Sequence, residues 1–369
     1  MTISTPKRLL GGLVAASMFV ALAGCAAAPE ESTTPTESAA AAVAGFKPCM
    51  VSDAGGFDDK SFNQLGYEGL EKAAGDLGVK FLAVESKSET DFAPNITSLV
   101  DQNCTLIITV GFALAAAAGE AAKANPEIDF VSIDDPVDND FDGKTDSPNV
   151  KPILFDTAQA AFLAGYASAS YSKAKKVGTF GGMNFPTVTI FMDGFAQGVD
   201  YWNAQKKDTV QVVGWDSAAQ NGSFTGGFDA NQDAINVAQS IVDQGVDVLL
   251  PVGGPIYQSA ASVIRSAGRE IALIGVDADV YETDPSVKDL LLTSIRKGVD
   301  VGVQDAVMAA GTGKFDATPF LGTLENEAVG LAPFHDFESK VSPDLQGELD
   351  KISAGIIDGS IPVKSYLAG

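Results

Sequence analysis

Ten apolar segments of strand length recur along the chain with helical segments between them, and this alternation limits the possible folds more than any other feature. The strand-like segments are 48–53, 79–85, 105–111, 128–134, 151–156, 176–181, 209–215, 246–253, 271–277 and 291–295. Helical patterns fill the gaps at 62–77, 113–124, 158–172, 188–202, 231–244 and 256–266. The strands are rich in Val, Ile and Leu and nearly continuous in their apolar character, as parallel strands buried on both faces require. Strands alternating with helices build right-handed βαβ units. Ten strands exceed what one open twisted sheet commonly holds, and the pattern starts afresh at Lys176. The expected fold class is therefore α/β, with two doubly wound parallel-sheet lobes and a ligand cleft between them. Lobe 1 is expected at 46–172 and lobe 2 at 173–292. The segment 293–369 is expected to cross back to lobe 1 and close on lobe 2, with a final amphipathic helix near 342–360.

Nearly every strand ends in Gly or Asp: Asp53, Gly111, Asp134, Asp156, Gly181, Gly253 and Asp277. Turns favour both residues, so each position alone says little. The stretch 49–69 says more. A short strand ends at Asp53, Gly55 and Gly56 permit a tight turn, and a helix starts near Asp59 or Ser61. Ligands bind outside the carboxyl ends of strands in open parallel sheets, and free N–H groups at a helix start offer directional donors. Asp53 is read as a ligand residue. Asp59 and Ser61 serve equally well as ordinary helix caps.

The chain opens with Lys7 and Arg8, the apolar run 9–23, and then Leu22, Ala23, Gly24 and Cys25. A basic start, a short apolar region and small residues make a secretory signal, 1–24, too short to span a bilayer as a stable helix. Cysteine directly after Leu-Ala-Gly resembles the bacterial lipobox, so Cys25 is expected to carry the lipid (palmitate) and to begin the mature chain. Residues 25–45 hold Ala, Thr, Ser, Pro and Glu with little bulk to bury, and read as a flexible tether. Its end-to-end distance is about 25 Å. The expected location is the cell membrane, lipid-anchored and facing outside the cytoplasm.

The formal net charge is −24. Such acidity argues against nucleic-acid binding and against electrostatic adhesion to anionic lipid. His335 is the sole histidine, which leaves almost nothing for histidine catalysis or histidine-based metal sites. Cys49 and Cys104 each precede an apolar strand. If those strands are neighbours, both sulfurs lie at one sheet end, and an oxidising compartment favours a Cys49–Cys104 disulfide; the alternative is a pair of buried thiols.

Several local sequences resemble the basic membrane protein family of purine-nucleoside-binding lipoproteins, the substrate-binding proteins of ABC importers. They are ValSerAspAlaGlyGlyPheAspAspLysSerPheAsn at 51–63, IleGlyValAsp at 274–277 and ThrSerIleArgLys at 293–297. GlyThrPheGlyGlyMetAsn at 178–184 and PheMetAspGlyPheAlaGlnGly at 191–198 look like the family's entry to its second lobe. The resemblance covers the chain from Phe46 onward and implies a type I periplasmic-binding-protein fold closing on a nucleoside. By it, Asp53 would hydrogen-bond the base or other polar groups facing the pocket. Phe62 would stack on the base, with Asn63 and Asp59 beside it. Phe191 is the best match for a second aromatic, with Phe180 and Phe185 as alternatives. Gly253 and Gly254 would permit close backbone approach, and Asp277 and Lys297 would grip the ribose hydroxyls.

The same resemblance implies an ABC importer permease as partner, a monomer, no cofactor, no metal and no catalytic residue. No GxxxxGK[ST] loop or Arg cluster is present to hold phosphates. One alternative is a sugar or another small solute on the same fold. A nucleoside hydrolase is the enzymatic alternative, because AspAlaGlyGlyPheAspAsp at 53–59 is close to DxDxGxDD. It lacks the first acid, however, and carries one extra residue before the acid pair.

Overall fold

The computed structural model describes residues 41–140 and 142–367. The signal segment 1–24, Cys25 and most of the tether lie outside the described residues. The first sheet takes its strands and helices from β1 (Pro48–Val51), α1 (Phe62–Leu77), β2 (Leu82–Val84), α2 (Phe92–Asp101), β3 (Leu106–Val110), α3 (Ala115–Ala124), β4 (Asp129–Ile133) and β5 (Val150–Phe155). The chain then builds α4 (Thr157–Tyr171), β6 (Lys176–Gly181), α5 (Pro186–Lys206), β7 (Gln211–Val213), β8 (Trp215–Asp216), β9 (Asn221–Gly222) and α6 (Gln232–Val242). It continues through β10 (Val248–Val252), α7 (Ile256–Ser266), β11 (Ala272–Asp277), α8 (Val280–Thr283) and β12 (Leu291–Lys297). The last elements are α9 (Val299–Gly311), β13 (Phe320–Gly322), β14 (Val329–Leu331) and α10 (Leu345–Ile357).

Two six-stranded sheets result, in the orders β13-β5-β4-β3-β1-β2 and β14-β12-β11-β10-β6-β7. Every pairing in them is parallel except β12 with β14. The fold is α/β with two parallel-dominated sheets. All ten expected strand segments contain a strand. The chain leaves the second sheet after Lys297, five residues beyond the boundary at 292 that the sequence suggested, because β12 pairs with β11 as far as Arg296 and with β14 through Lys297.

Three segments pass between the sheets: β5 into α4, β12 into α9, and β13 into β14. They are tied together by backbone bonds, Asp156 N–H donating to the Gly322 carbonyl at 2.8 Å and Gly298 N–H to the Ala328 carbonyl at 2.8 Å. Helix α4 is apolar nearly all round and correspondingly buried. It lies so close to α5 that a Cβ on Gly165 would meet the Phe195 carbonyl oxygen at 2.0 Å. Only glycine permits that approach.

Cys49 and Cys104 are joined by a disulfide, with Cα atoms 6.0 Å apart and a separation of 55 positions in sequence. The bond ties β1 to the residues entering β3, its parallel neighbour. Cross-linking a loop of this length removes denatured-state entropy equivalent to about 4 kcal/mol. A Cys49→Ala/Cys104→Ala protein should therefore lose roughly 2–5 kcal/mol in urea unfolding; an unchanged midpoint would contradict this.

Candidate functional site

The carboxyl ends of both sheets face one cleft, partly open to solvent. Its wall on the first sheet is organised by the start of α1. Asp59 accepts from the backbone N–H groups of Ser61 (2.9 Å), Asn63 (2.9 Å) and Gln64 (3.0 Å), and from Asn63 Nδ2 (3.1 Å). A carboxylate has about four acceptor positions, so these donors occupy Asp59 fully. It is a buried cap of α1 that also lines the cavity wall, and Ser61, the residue before α1, makes no side-chain cap of its own.

Asn63 extends this frame. Its amide also donates to Asp53 Oδ1 at 2.8 Å and accepts from the Asp53 backbone N–H at 3.3 Å, while Gly55 N–H donates to the same Oδ1 at 2.8 Å. Asp53 Oδ2 has no hydrogen-bond donor among the described residues. Burial pushes the Asp53 carboxyl up to about 6, opposed by the Gly55 and Asn63 bonds and reinforced by Asp59 and Asp134.

Lys297, at the end of β12, is 4% exposed. Its ammonium donates to Asp134 Oδ2 at 2.5 Å and lies 3.9 Å from Asp277 Oδ1. Asp134 follows β4 in the first sheet and Asp277 ends β11 in the second, so the lysine links acids of both. Both acids hold a left-handed backbone, φ +69° and +66°, a conformation that Asp tolerates better than most residues. Three rings surround the ammonium: Phe62 at 4.8 Å, Phe155 at 5.4 Å and Phe191 at 5.6 Å from ring centre to Nζ. Ser61 Oγ, from the first lobe, lies within donor reach of the Val276 carbonyl (2.9 Å) and Asp277 Oδ2 (3.1 Å). Burial raises Asp277 to about 7, against the opposing pull of Lys297, and also raises Asp134.

Of the residues singled out from sequence, Asp53, Asp59, Phe62, Asn63, Phe191, Gly254 and Asp277 line the cleft, and Lys297 lies behind it in contact with Asp134. Gly253, at φ +139°, is pressed against Phe228, whose ring a Cβ would meet at 2.7 Å. The alternatives for the second aromatic separate clearly. Phe180 is fully buried between the second sheet and helices α6 and α7, away from the cleft. Phe185 lines the cleft but packs on Phe112, 4.9 Å between ring centres. Sequence reasoning missed Asp134, Phe112 and Phe228 as cleft residues. Asp134 carried the same signal as Asp53 and Asp277, an acid closing an apolar strand; the two rings carried none.

A family model described as "ABC transporter substrate-binding protein PnrA-like" matches residues 46–365. A CD4+ T-cell-stimulating antigen of Listeria monocytogenes is 30% identical over 337 residues, 86% of this chain and 88% of that protein. The ABC transporter nucleoside-binding protein BmpA of Lactococcus lactis subsp. cremoris is 29% identical over 337 residues, 87% of this chain and 89% of that one. Among solved structures, an ABC transporter solute-binding protein from Aeropyrum pernix K1 superposes with a TM-score of 0.76 at 23% identity, covering 87% of this chain and 94% of that one. That likeness supports the fold.

A buried carboxyl raised above its unfolded value of 3.8 binds its proton more tightly in the folded state. The stability it contributes is complete below the unfolded value and is lost as pH rises towards the folded one. For Asp277 the window runs from about 4 to about 7. The urea midpoint of ligand-free protein should fall between pH 5 and pH 7.5, and Asp277→Asn should fall less steeply. Equal slopes would show that Asp277 does not hold its proton in this way.

Proposed function

The chain belongs to the family of PnrA-like ABC transporter substrate-binding proteins, and on that premise we propose that it captures a nucleoside, foremost a purine nucleoside, and delivers it to its importer's permease. The observation that carries this reading is the pairing of Phe62 and Phe191 with Asp277 and Lys297 around one buried point. A purine offers a flat face, and stacking on aromatic rings contributes roughly 1–3 kcal/mol per base. A ribose offers adjacent hydroxyls that donate to a carboxylate and accept from an ammonium. Lys297 spends one of its three donors on Asp134 and has two left. Asp53 Oδ2 would accept from the base, Asn63 and Asp59 would hold Asp53 and Phe62 in place, and Gly254 would let the backbone come close.

Phosphorylated nucleosides fit poorly, since Glu89 and Asp229 join the acids that already line the cleft. A hydrolase fits poorly too. A calcium ion would need several carboxylate oxygens, and those of Asp59 already accept from N–H groups. The family model describes substrate-binding proteins, and the Lactococcus lactis relative is a nucleoside-binding protein of an ABC transporter. Among the described residues no helix is long and apolar enough to cross a membrane, and attachment is assigned to a lipid on Cys25 with the tether behind it, the protein acting as a monomer. Closure of the two sheets' lobes over the ligand would complete binding, because the grip is divided between them.

Calorimetric titration of the soluble form beginning at Ala26, refolded free of bound ligand, tests the reading with guanosine, adenosine, inosine, cytidine, ribose and adenine. Saturable heats are expected from nucleosides and not from ribose or adenine alone. Binding of ribose alone would move the assignment to a sugar. Asp277→Ala should weaken nucleoside binding by about tenfold to a hundredfold through lost charged hydrogen bonds; unchanged affinity in a folded variant would remove Asp277 from the site.

A further inference from the structure

Three rings at the mouth of the cleft have no part in the grip described above. Phe112 follows β3 of the first sheet and Phe185 directly precedes α5 of the second. Their centres lie 4.9 Å apart with planes inclined at 37°, so the contact spans the two sheets. Phe228 stands behind Phe185, centre to centre 6.1 Å. It is wedged against bare backbone, because a Cβ on Gly182 or Gly253 would come within 2.4 or 2.7 Å of its ring. All three rings line the cleft and all three are half-buried.

We propose that Phe112 and Phe185 form an aromatic latch, backed by Phe228, which must part whenever the cleft opens and therefore sets how fast a bound solute escapes. Phe228 is fixed by its backbone seat and Phe185 leans on it. Phe112, carried on the other sheet, is the ring that withdraws. The latch is also the apolar part of closure. At the other end Asp134 of the first sheet and Asp277 of the second share the single cation of Lys297, with Asp53 a further acid on the cleft wall, so in ligand-free protein the surplus acid opposes closing while the rings favour it. An aromatic pair of this kind contributes beyond its buried area without needing any polar group of the ligand.

The latch rests on the nucleoside reading only for the choice of probe. Dissociation of bound inosine, followed by chase with unlabelled inosine, should be about fivefold faster in Phe112→Ala and in Phe185→Ala, with association changed less than about twofold. The double variant should be no faster than the faster single one, because both remove the same contact. Effects that multiply, or that fall on association instead, would overturn the latch and make each ring an independent part of the pocket wall. Phe112→Leu and Phe185→Leu keep an apolar side chain and guard against misfolding; their rates should lie between. If the unaltered protein binds no nucleoside, the proposed ligand fails and the latch is judged without one. Small-angle scattering should then show ligand-free Phe112→Ala more expanded than the unaltered protein, and identical profiles would overturn the latch.

Discussion

The buried ammonium of Lys297 is the constraint on which the rest of the structure turns. Removing a lone ammonium from water costs several kcal/mol, so this side chain is tolerable only where carboxylates meet it. Asp134 and Asp277 come from different sheets, which means that β4, β11 and β12 have to end at the same place. Their left-handed backbones bring the two carboxylates to the lysine at the cost of leaving the strand conformation. The Phe62, Phe155 and Phe191 rings then wall off the charge from solvent while adding their own attraction to it. Since Lys297 also stands one residue before the crossing into α9, the same side chain sits where the two sheets are joined.

The charges do not balance. Asp134 and Asp277 share one cation, Asp53 adds a third acid to the cleft, and burial holds all three carboxyls above their ordinary range. A cavity with surplus acceptors is poorly matched to a phosphate and well matched to a neutral molecule rich in hydroxyl and N–H donors. On the proposed reading, a nucleoside would bring such neutral, donor-rich faces to the cleft.

Much of this was legible in the chain. The strands and most helices follow from apolar period, and 62–77 and 256–266 coincide with α1 and α7. Helix α2 escaped notice because Pro94 and the β-branched Ile96, Thr97 and Val100 weaken its signal; proline is harmless in the first turn, and burial of Phe92, Ile96 and Leu99 secures the helix. Strands β13 and β14 have three residues each, too few for any period, and are defined only by the partners they find. Helix α9 falls inside the segment 293–369, where Val299, Val303, Ala306 and Ala310 bury one face. In the site, acids ending strands could be recognised by kind, but which of them would meet Lys297 depends on sheet order. The cross-sheet meeting of Phe112 and Phe185 depends wholly on tertiary structure and leaves no local trace.

The separation of Lys297 from Asp134 by 163 residues bears on the order in which the molecule is made. A chain emerging from its amino end presents Asp134, with the strand that precedes it, long before its counter-ion exists. The strand that completes the first sheet, β13, follows later still. The first lobe must thus pass its early life with unneutralised acid at its strand ends, open to water, and the cleft has both its walls only when the last quarter of the polypeptide has been delivered.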